Sequence, residues 1–130
     1  MKYLLDSNAV IAALDGRENV IRRIRNCAVD DIAVSSIVAH ELYYGAYKSH
    51  RTAKNLAIID SFSFEVLEFD REDATIAGAV RAHLALAGTP IGPYDVLIAG
   101  QTLARGLTLV SRNTREFRRV PELKLEDWEA

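Results

Sequence analysis

Four acidic residues stand where parallel-sheet proteins often keep their reactive groups. Asp6 directly follows a short apolar run, and Asp95 lies in the first turn of a predicted helix. Glu41 shares a predicted helical face with apolar residues, and Glu116 stands three residues after Asn113. Crowded carboxylates raise one another's pKa, and a bound divalent cation relieves the repulsion. Oxygen ligands favour Mg²⁺ or Mn²⁺, and such an ion activates water for phosphodiester hydrolysis.

Each acid also has a purely structural explanation. Aspartate at position 6 is a good helix N-cap, and Asp95 gains stability from the dipole of the helix that it begins. Glu41 is expected to be half-buried, where it would pair with an arginine or lysine. Glu116 completes an Asn-x-x-Glu pattern that resembles a capping box with Asn113. The functional interpretation therefore depends on all four acids meeting at one edge of the fold.

The elements that must position these acids alternate along the chain. Strands are predicted at residues 2–5, 32–34, 65–67, 108–110 and, from a weaker pattern, 123–125. Helices are predicted at residues 8–14, 19–27, 36–48 with Ser36 as the cap, 53–61, 72–87 and 93–105. This alternation predicts an α/β fold with a central, mostly parallel sheet of about five strands between two layers of helices. Ligands of such sheets bind at the carboxyl ends of the strands.

Composition sets the class of molecule. The chain has 130 residues, of which 49% are hydrophobic, and it contains no repeat or linker, so we expect a single domain over residues 1–130. A single cysteine excludes an internal disulfide. Together with three scattered histidines, it also argues against a zinc site. We find no signal peptide or membrane span, so the simplest expectation is a cytoplasmic protein.

Positive charge is local rather than global. The net charge is −2, so no overall field indicates nucleic-acid binding. Basic residues nevertheless lie near the acids: Arg112 and Arg115 precede the last acid, while Lys48 and Arg51 follow the Glu41 helix. These four side chains are candidates for phosphate contacts with RNA, although a solvated charged face would explain each of them as well.

Four segments together resemble the PIN-domain ribonucleases, in particular the VapC toxins of bacterial toxin–antitoxin pairs. The segments are Leu4-Leu5-Asp6-Ser7-Asn8, Glu41-Leu42-Tyr43-Tyr44-Gly45, Ile91-Gly92-Pro93-Tyr94-Asp95-Val96-Leu97-Ile98-Ala99 and Leu109-Val110-Ser111-Arg112-Asn113-Thr114-Arg115-Glu116-Phe117. The likeness covers nearly the whole chain, in order. Any one segment is weakly specific, whereas the four together are highly specific.

The resemblance implies a PIN-like fold that holds one or two Mg²⁺ or Mn²⁺ ions and cuts single-stranded or looped RNA. Asp6, Glu41 and Asp95 match the three core acids, and Glu116 matches a fourth, where the family more often has aspartate. Asp6 and Asp95 are then the main metal ligands, Glu41 completes the shell or orients the attacking water, and Glu116 supports a second ion. Supporting polar residues are expected at four further positions: Ser7, Asn8, Ser111 and Asn113.

The resemblance also implies two protein partners. One is a small antitoxin that binds a hydrophobic groove and directs a basic side chain toward the acids. The other is a second copy of the chain, which forms a homodimer within a larger toxin–antitoxin complex.

Other functions remain open from the residues alone. A receiver-like signalling domain also gathers acids at strand ends, but it needs paired acids after the first strand and a lysine after the last core strand. Here the first strand ends in a single aspartate, and Ser111-Arg112-Asn113 offers no lysine. A phosphatase with an aspartyl nucleophile needs Asp-x-Asp, whereas Asn8 occupies the second position here. A non-catalytic PIN domain that only binds RNA or a partner is a further alternative, against which the intact acids argue.

Overall fold

The computed structural model describes residues 1–130. At its centre lies a five-stranded sheet in which every pair of neighbouring strands is parallel. The strands lie in the order β3-β2-β1-β4-β5. Their bounds are β1 Tyr3–Leu5, β2 Ile32–Ser35, β3 Glu65–Leu67, β4 Thr108–Val110 and β5 Lys124–Glu126. The chain extends the sheet outward from β1 through β2 to β3, and then returns to the other side of β1 with β4. The predicted α/β fold is confirmed.

Seven α-helices connect the strands. They are α1 Ser7–Leu14, α2 Glu18–Arg25, α3 Ser36–Lys48, α4 Thr52–Asp60, α5 Arg71–Leu86, α6 Pro93–Ala104 and α7 Thr114–Phe117. A single 3-10 turn at Val29–Asp31 precedes β2 and was not predicted. None of the helices is both long and apolar enough to cross a membrane.

The element boundaries follow from local capping chemistry. The N-cap of α3 is Ser35, whose hydroxyl accepts a hydrogen bond from the backbone N–H of Ile37, so the prediction of Ser36 as the cap was wrong by one residue. Pro93 occupies the first position of α6 as predicted, because its missing N–H costs nothing there. Gly106 ends that helix region with φ of 64°, a left-handed conformation that glycine adopts without strain. The last strand lies one residue later than predicted, at Lys124–Glu126.

The central strands are buried because helices cover both faces of the sheet. Leu4, Leu5 and Leu109 are fully buried, as is Phe117 from α7. After β5, Trp128 is 3% exposed and its ring packs edge-on against Tyr3 of the central strand β1, with ring centroids 5.0 Å apart. The two central strands, whose carboxyl ends carry Asp6 and Ser111, are therefore held rigidly side by side.

Helices α5 and α6 pack closely against each other at Gly100. A Cβ atom added to Gly100 would lie 2.4 Å from the Cα of Ala77, which is inside the backbone of the neighbouring helix. Glycine is thus required at this position for α6 to pack where it does. Since α6 begins at the segment that carries Asp95, this packing also sets the position of a candidate site residue.

Gly100→Ala is accordingly expected to destabilise the protein by about 3 kcal/mol, because the two helices must separate to admit a methyl group. Gly78→Ala is the matched control: it lies in α5, where an added Cβ would have no atom within 4 Å, and it should be neutral or stabilise by up to about 1 kcal/mol. Urea unfolding of both variants measures the difference. Equal stabilities would show that the α5–α6 contact is not close-packed.

Candidate active site

Asp6 is the most enclosed of the four acids. It is 3% exposed and follows β1 directly, at the carboxyl edge of the sheet. Its Oδ1 accepts a hydrogen bond of 2.9 Å from the backbone N–H of Ser7, so the predicted N-cap role is real. Its Oδ2 accepts from the Ser111 hydroxyl at 2.8 Å and from Asn8 Nδ2 at 3.2 Å. Burial still raises the pKa of Asp6, although these hydrogen bonds oppose the shift.

Hydrogen bonds of the Ser111 and Asn8 side chains connect the carboxyl ends of β1 and β4. Asn8 Nδ2 also donates to the Ser111 hydroxyl oxygen at 3.2 Å, and Asn8 Oδ1 accepts from the backbone N–H of Arg112 at 3.0 Å. The backbone N–H of Asn113 donates to the same Ser111 hydroxyl oxygen at 3.0 Å. Strands β1 and β4 meet where the strand order reverses, which is where open parallel sheets bind their ligands.

Glu41 has no basic partner. Its Oε1 is buried and has no hydrogen-bond partner, and no ion pair involves this residue. Burial raises the pKa of Glu41, and the negative charge of Asp6 raises it further. The structural explanation for this acid, a salt bridge to arginine or lysine, was therefore wrong.

Asp95 carries the largest electrostatic cost. Burial, followed by the charges of Asp6, Glu116 and Glu41, raises its pKa from the ordinary 3.8 to about 7. These influences show that all four carboxylates share one electrostatic neighbourhood. The backbone also comes close, because a Cβ on Gly92 would lie 3.1 Å from Asp95 Oδ2.

Glu116 lies at the rim of this group. Asn113 Nδ2 donates to its Oε2 at 3.3 Å, so the two residues of the Asn-x-x-Glu pattern do touch. They do not form the predicted capping box, because the Asn113 side chain makes no capping hydrogen bond to the backbone of α7.

The donor set fits a hard cation in its chemistry. All four side chains offer carboxylate oxygens, one of which is buried without a partner, and their mutual repulsion favours a bound positive ion. As the side chains stand, no three of them converge to metal-binding distance. Direct ligation by three or more acids would need rotation of their side chains, and ligation through water would not. Metal binding thus stays a prediction.

The predicted RNA-contacting bases fall into two places. Arg112 and Arg115 are exposed immediately after β4, beside Asn113 and Glu116. Lys48 is the last residue of α3, about two turns beyond Glu41, and Arg51 directly precedes α4. The Lys48 ammonium group lies 5.6 Å from the centre of the Tyr44 ring. The structure therefore places only the first pair next to the acids.

Sequence reasoning missed an aromatic pair beside the acids. His40 precedes Glu41 on α3 and Tyr94 precedes Asp95 on α6, and their ring centroids lie 5.5 Å apart with a tilt of 55° between the planes. Both side chains are exposed. The neighbouring positions in sequence were visible, but the approach of α3 to α6 was not.

An apolar cleft opens next to Glu41. It has a volume of about 400 Å³ between α1, α3 and α4. Its lining includes Ile11, Leu42 and Ile58, and Ile11 is 48% exposed. A cleft of this kind is suited to an apolar side chain, and Asp15 and Glu41 add acidic groups to its lining.

Comparison with known proteins identifies the relatives of this chain. The model of the PIN domain family matches residues 3–123. The tRNA(fMet)-specific endonuclease VapC of Salmonella typhimurium is 42% identical over 130 residues, which cover 98% of each chain. Ribonuclease VapC2 of Haemophilus influenzae is 39% identical over the same length and coverage.

Solved structures give the same result. DNA-bound VapBC from Salmonella typhimurium contains a chain that matches with a TM-score of 0.92 and 43% identity, covering 98% of both chains. VapBC2 from Rickettsia felis, bound to a DNA fragment from their promoter, matches with a TM-score of 0.92 and 34% identity over 98% of this chain and 99% of that one. The similarity extends over essentially the full length of the chain.

Proposed function

Because the chain belongs to the PIN-domain family and is a VapC-type ribonuclease toxin, we propose that it is a metal-dependent endoribonuclease whose active site is the four-carboxylate edge of the sheet. The observation that supports this site most strongly is the unpaired, buried Oε1 of Glu41 beside Asp6 and Asp95. A buried carboxylate oxygen without a donor is costly unless a cation or a donor occupies its neighbourhood in the working state.

The residues divide into ligands and supports. Asp6 and Asp95 are proposed as the main ligands of Mg²⁺ or Mn²⁺, with Glu41 completing the site or orienting the attacking water and Glu116 supporting a second ion. When bound, the cation lowers the pKa of water and neutralises charge that develops on the phosphate. Ser111 and Asn8 hold the Asp6 carboxylate in one orientation through the hydrogen bonds described above.

The proposed reaction is hydrolysis of an RNA phosphodiester bond by in-line attack of water. Burial and the charge of Asp6 raise the pKa of Glu41, so this carboxylate is a stronger base than an ordinary glutamate and is suited to orient the attacking water. Arg112 and Arg115 are exposed on the segment between Ser111 and Glu116 and are proposed to bind flanking phosphates, for which Arg112 would leave its ion pair of 3.9 Å with Glu129. The expected products carry a 5′-phosphate and a 3′-hydroxyl.

We also propose a small VapB-like antitoxin and a second copy of the chain as partners. The similar chains come from VapBC structures, and the apolar cleft beside Glu41 offers a place for an antitoxin segment. A basic side chain entering from this cleft would neutralise Glu41 and compete with the metal.

Induced expression tests the ribonuclease proposal. New RNA 5′ ends are mapped in total RNA after induction of the parent protein and of Asp6→Asn. The parent is expected to arrest growth and to generate discrete new ends. Asp6→Asn keeps the size of the side chain, but it removes the negative charge and replaces one of the two acceptor oxygens by an NH2 group, so it should generate none.

Two further measurements make the comparison decisive. Circular dichroism establishes that Asp6→Asn is folded, and immunoblotting establishes equal expression. Arg71→Ala, an exposed change at the start of α5, serves as the matched control and should cleave like the parent. Ends that appear equally with folded Asp6→Asn would contradict the assignment of this site.

A further inference from the structure

The exposed rings of His40 and Tyr94 form a small aromatic surface next to the proposed catalytic acids. Each ring belongs to the residue before an acid, His40 before Glu41 on α3 and Tyr94 before Asp95 on α6. The two rings meet across the gap between these helices, with centroids 5.5 Å apart. Tyr94 is 48% exposed, so much of its ring is open to solvent despite this contact.

Packing alone does not account for an exposed pair at this place. A tyrosine that served the core would be buried, and its hydroxyl would have a protein partner. The Tyr94 hydroxyl makes no hydrogen bond to the protein, unlike that of Tyr43, which donates to Asp60 at 2.8 Å. The tilt of 55° between the rings also leaves an open angle between their faces rather than a closed stack.

We propose that His40 and Tyr94 form a stacking platform for one unpaired RNA base next to the scissile phosphate. This inference rests on the proposed function and adds a substrate-positioning site to it. Proteins that bind single-stranded RNA hold splayed bases on tyrosine and histidine rings. In-line attack requires the leaving oxygen to lie opposite the attacking water, and a captured neighbouring base fixes the phosphate in that orientation.

The position of the pair decides between an RNA base and other occupants. The rings lie across the same two helices that carry Glu41 and Asp95, and His40 is close enough to Glu41 for its charge to act on that acid. We therefore expect a nucleotide whose phosphate reaches these acids to have a base within reach of the rings. An apolar segment of a protein partner has a better place in the cleft between α1, α3 and α4, which is lined by aliphatic side chains. Stacking on aromatic faces tolerates all four bases, so the platform selects unpaired RNA rather than a sequence.

Fluorescence of 2-aminopurine tests the platform directly. A short unpaired RNA carries 2-aminopurine at successive positions in turn, and it is bound to Asp6→Asn protein so that it is not cut. One position is expected to be quenched by stacking. Tyr94→Leu and His40→Leu, each added to Asp6→Asn, should abolish this quenching and weaken binding about 10-fold, whereas Tyr94→Trp should retain both. Binding of the same sequence as a duplex should not change.

Steady-state kinetics of proteins that keep Asp6 distinguish a role of Tyr94 in binding the RNA base from a merely structural role. Tyr94→Leu is expected to raise KM about 10-fold for unpaired RNA and to leave kcat within about twofold. Tyr47→Leu is the matched control, because Tyr47 is 68% exposed and lies about two turns along α3 from His40. It should behave like the parent.

Each other outcome overturns the proposal in a recognisable way. A loss of kcat with unchanged KM and quenching would show that Tyr94 merely positions Asp95. Unchanged RNA binding together with weaker binding of a cognate antitoxin would make the pair a protein contact. If the parent protein cleaves no RNA, the proposed function fails first; if it cleaves and Tyr94→Leu is indistinguishable from it, only the platform fails.

Discussion

Asp95→Asn is expected to stabilise the metal-free protein by about 1–3 kcal/mol at pH 8, while it lowers RNA cleavage at least about 100-fold. The pKa of Asp95 is about 7 in the folded protein against an ordinary value of 3.8, with burial as the main cause and the charges of the other acids next. The folded state therefore resists ionisation of this carboxyl. Asparagine removes the charge and keeps the shape.

The sign of the pH dependence distinguishes this explanation from a packing effect. Between pH 4 and 7 the folded protein holds a proton on Asp95 that the unfolded chain has lost, so the acid costs more stability as pH rises and the cost levels off above pH 7. The advantage of Asp95→Asn should thus be present at pH 8 and absent near pH 4. Urea unfolding in EDTA at both pH values measures it, with Asp30→Asn, an exposed change, as the control. An equal gain at both pH values, or a loss at pH 8, would contradict the electrostatic account.

The second large effect is expected at Asp73, a buried acid with the opposite electrostatics. Arg105 donates from Nε to Asp73 Oδ1 at 3.1 Å and from Nη2 to Oδ2 at 3.0 Å, and Gln101 Nε2 donates to Oδ2 at 3.2 Å. Asp73 also reaches back to the backbone N–H of Asp70 at the start of α5. One carboxylate therefore joins the first turn of α5 to the last turns of α6.

Asp73→Ala should destabilise the protein by about 3–5 kcal/mol, because it leaves Arg105 and Gln101 without their shared partner. Burial acts most strongly on the pKa of Asp73 and raises it, but the hydrogen bonds from Arg105, Asp70 and Gln101 together outweigh burial, so the pKa lies below the ordinary 3.8. The stabilising contribution is then present above about pH 4 and is lost as pH falls through the folded pKa.

Urea midpoints at pH 7 and pH 3.5 measure this contribution. The difference between the parent and Asp73→Ala should be smaller at the lower pH. Glu72→Ala, an exposed neighbour on the same helix turn, is the control and should change stability by less than about 0.5 kcal/mol. An Asp73→Ala protein as stable as this control would show that the network is worth nothing to the fold.

The meeting of Asp6 with β4 could be predicted from the sequence. Asp6 and Ser111 each follow a short apolar run, and parallel strands bring such residues to one edge of the sheet. Their hydrogen bond of 2.8 Å agrees with that prediction. The fold class and the order of elements were predictable for the same reason, because hydrophobic periodicity records which faces are buried.

The surroundings of Glu41 and Tyr94 could not be predicted in this way. Sixteen basic residues left a salt bridge to Glu41 entirely plausible, and only the packing of α3 shows that none reaches it. His40 and Tyr94 are separated by more than fifty residues, so their contact depends on a helix-to-helix approach that no local pattern encodes. Capping was wrong at Ser36 because two adjacent serines satisfy the same pattern, and backbone geometry chose Ser35.

The central claim is that the four carboxylates act as one metal site for RNA hydrolysis. It is tested most directly by the cleavage rate of a purified, EDTA-treated protein on an unpaired RNA as Mn²⁺ is added back, for the parent and for Asp95→Asn. We predict no cleavage without metal, saturable recovery by the parent and at least about 100-fold slower cleavage by Asp95→Asn at saturating Mn²⁺. Cleavage that persists in EDTA, or recovery by Asp95→Asn equal to that of the parent, would contradict the claim.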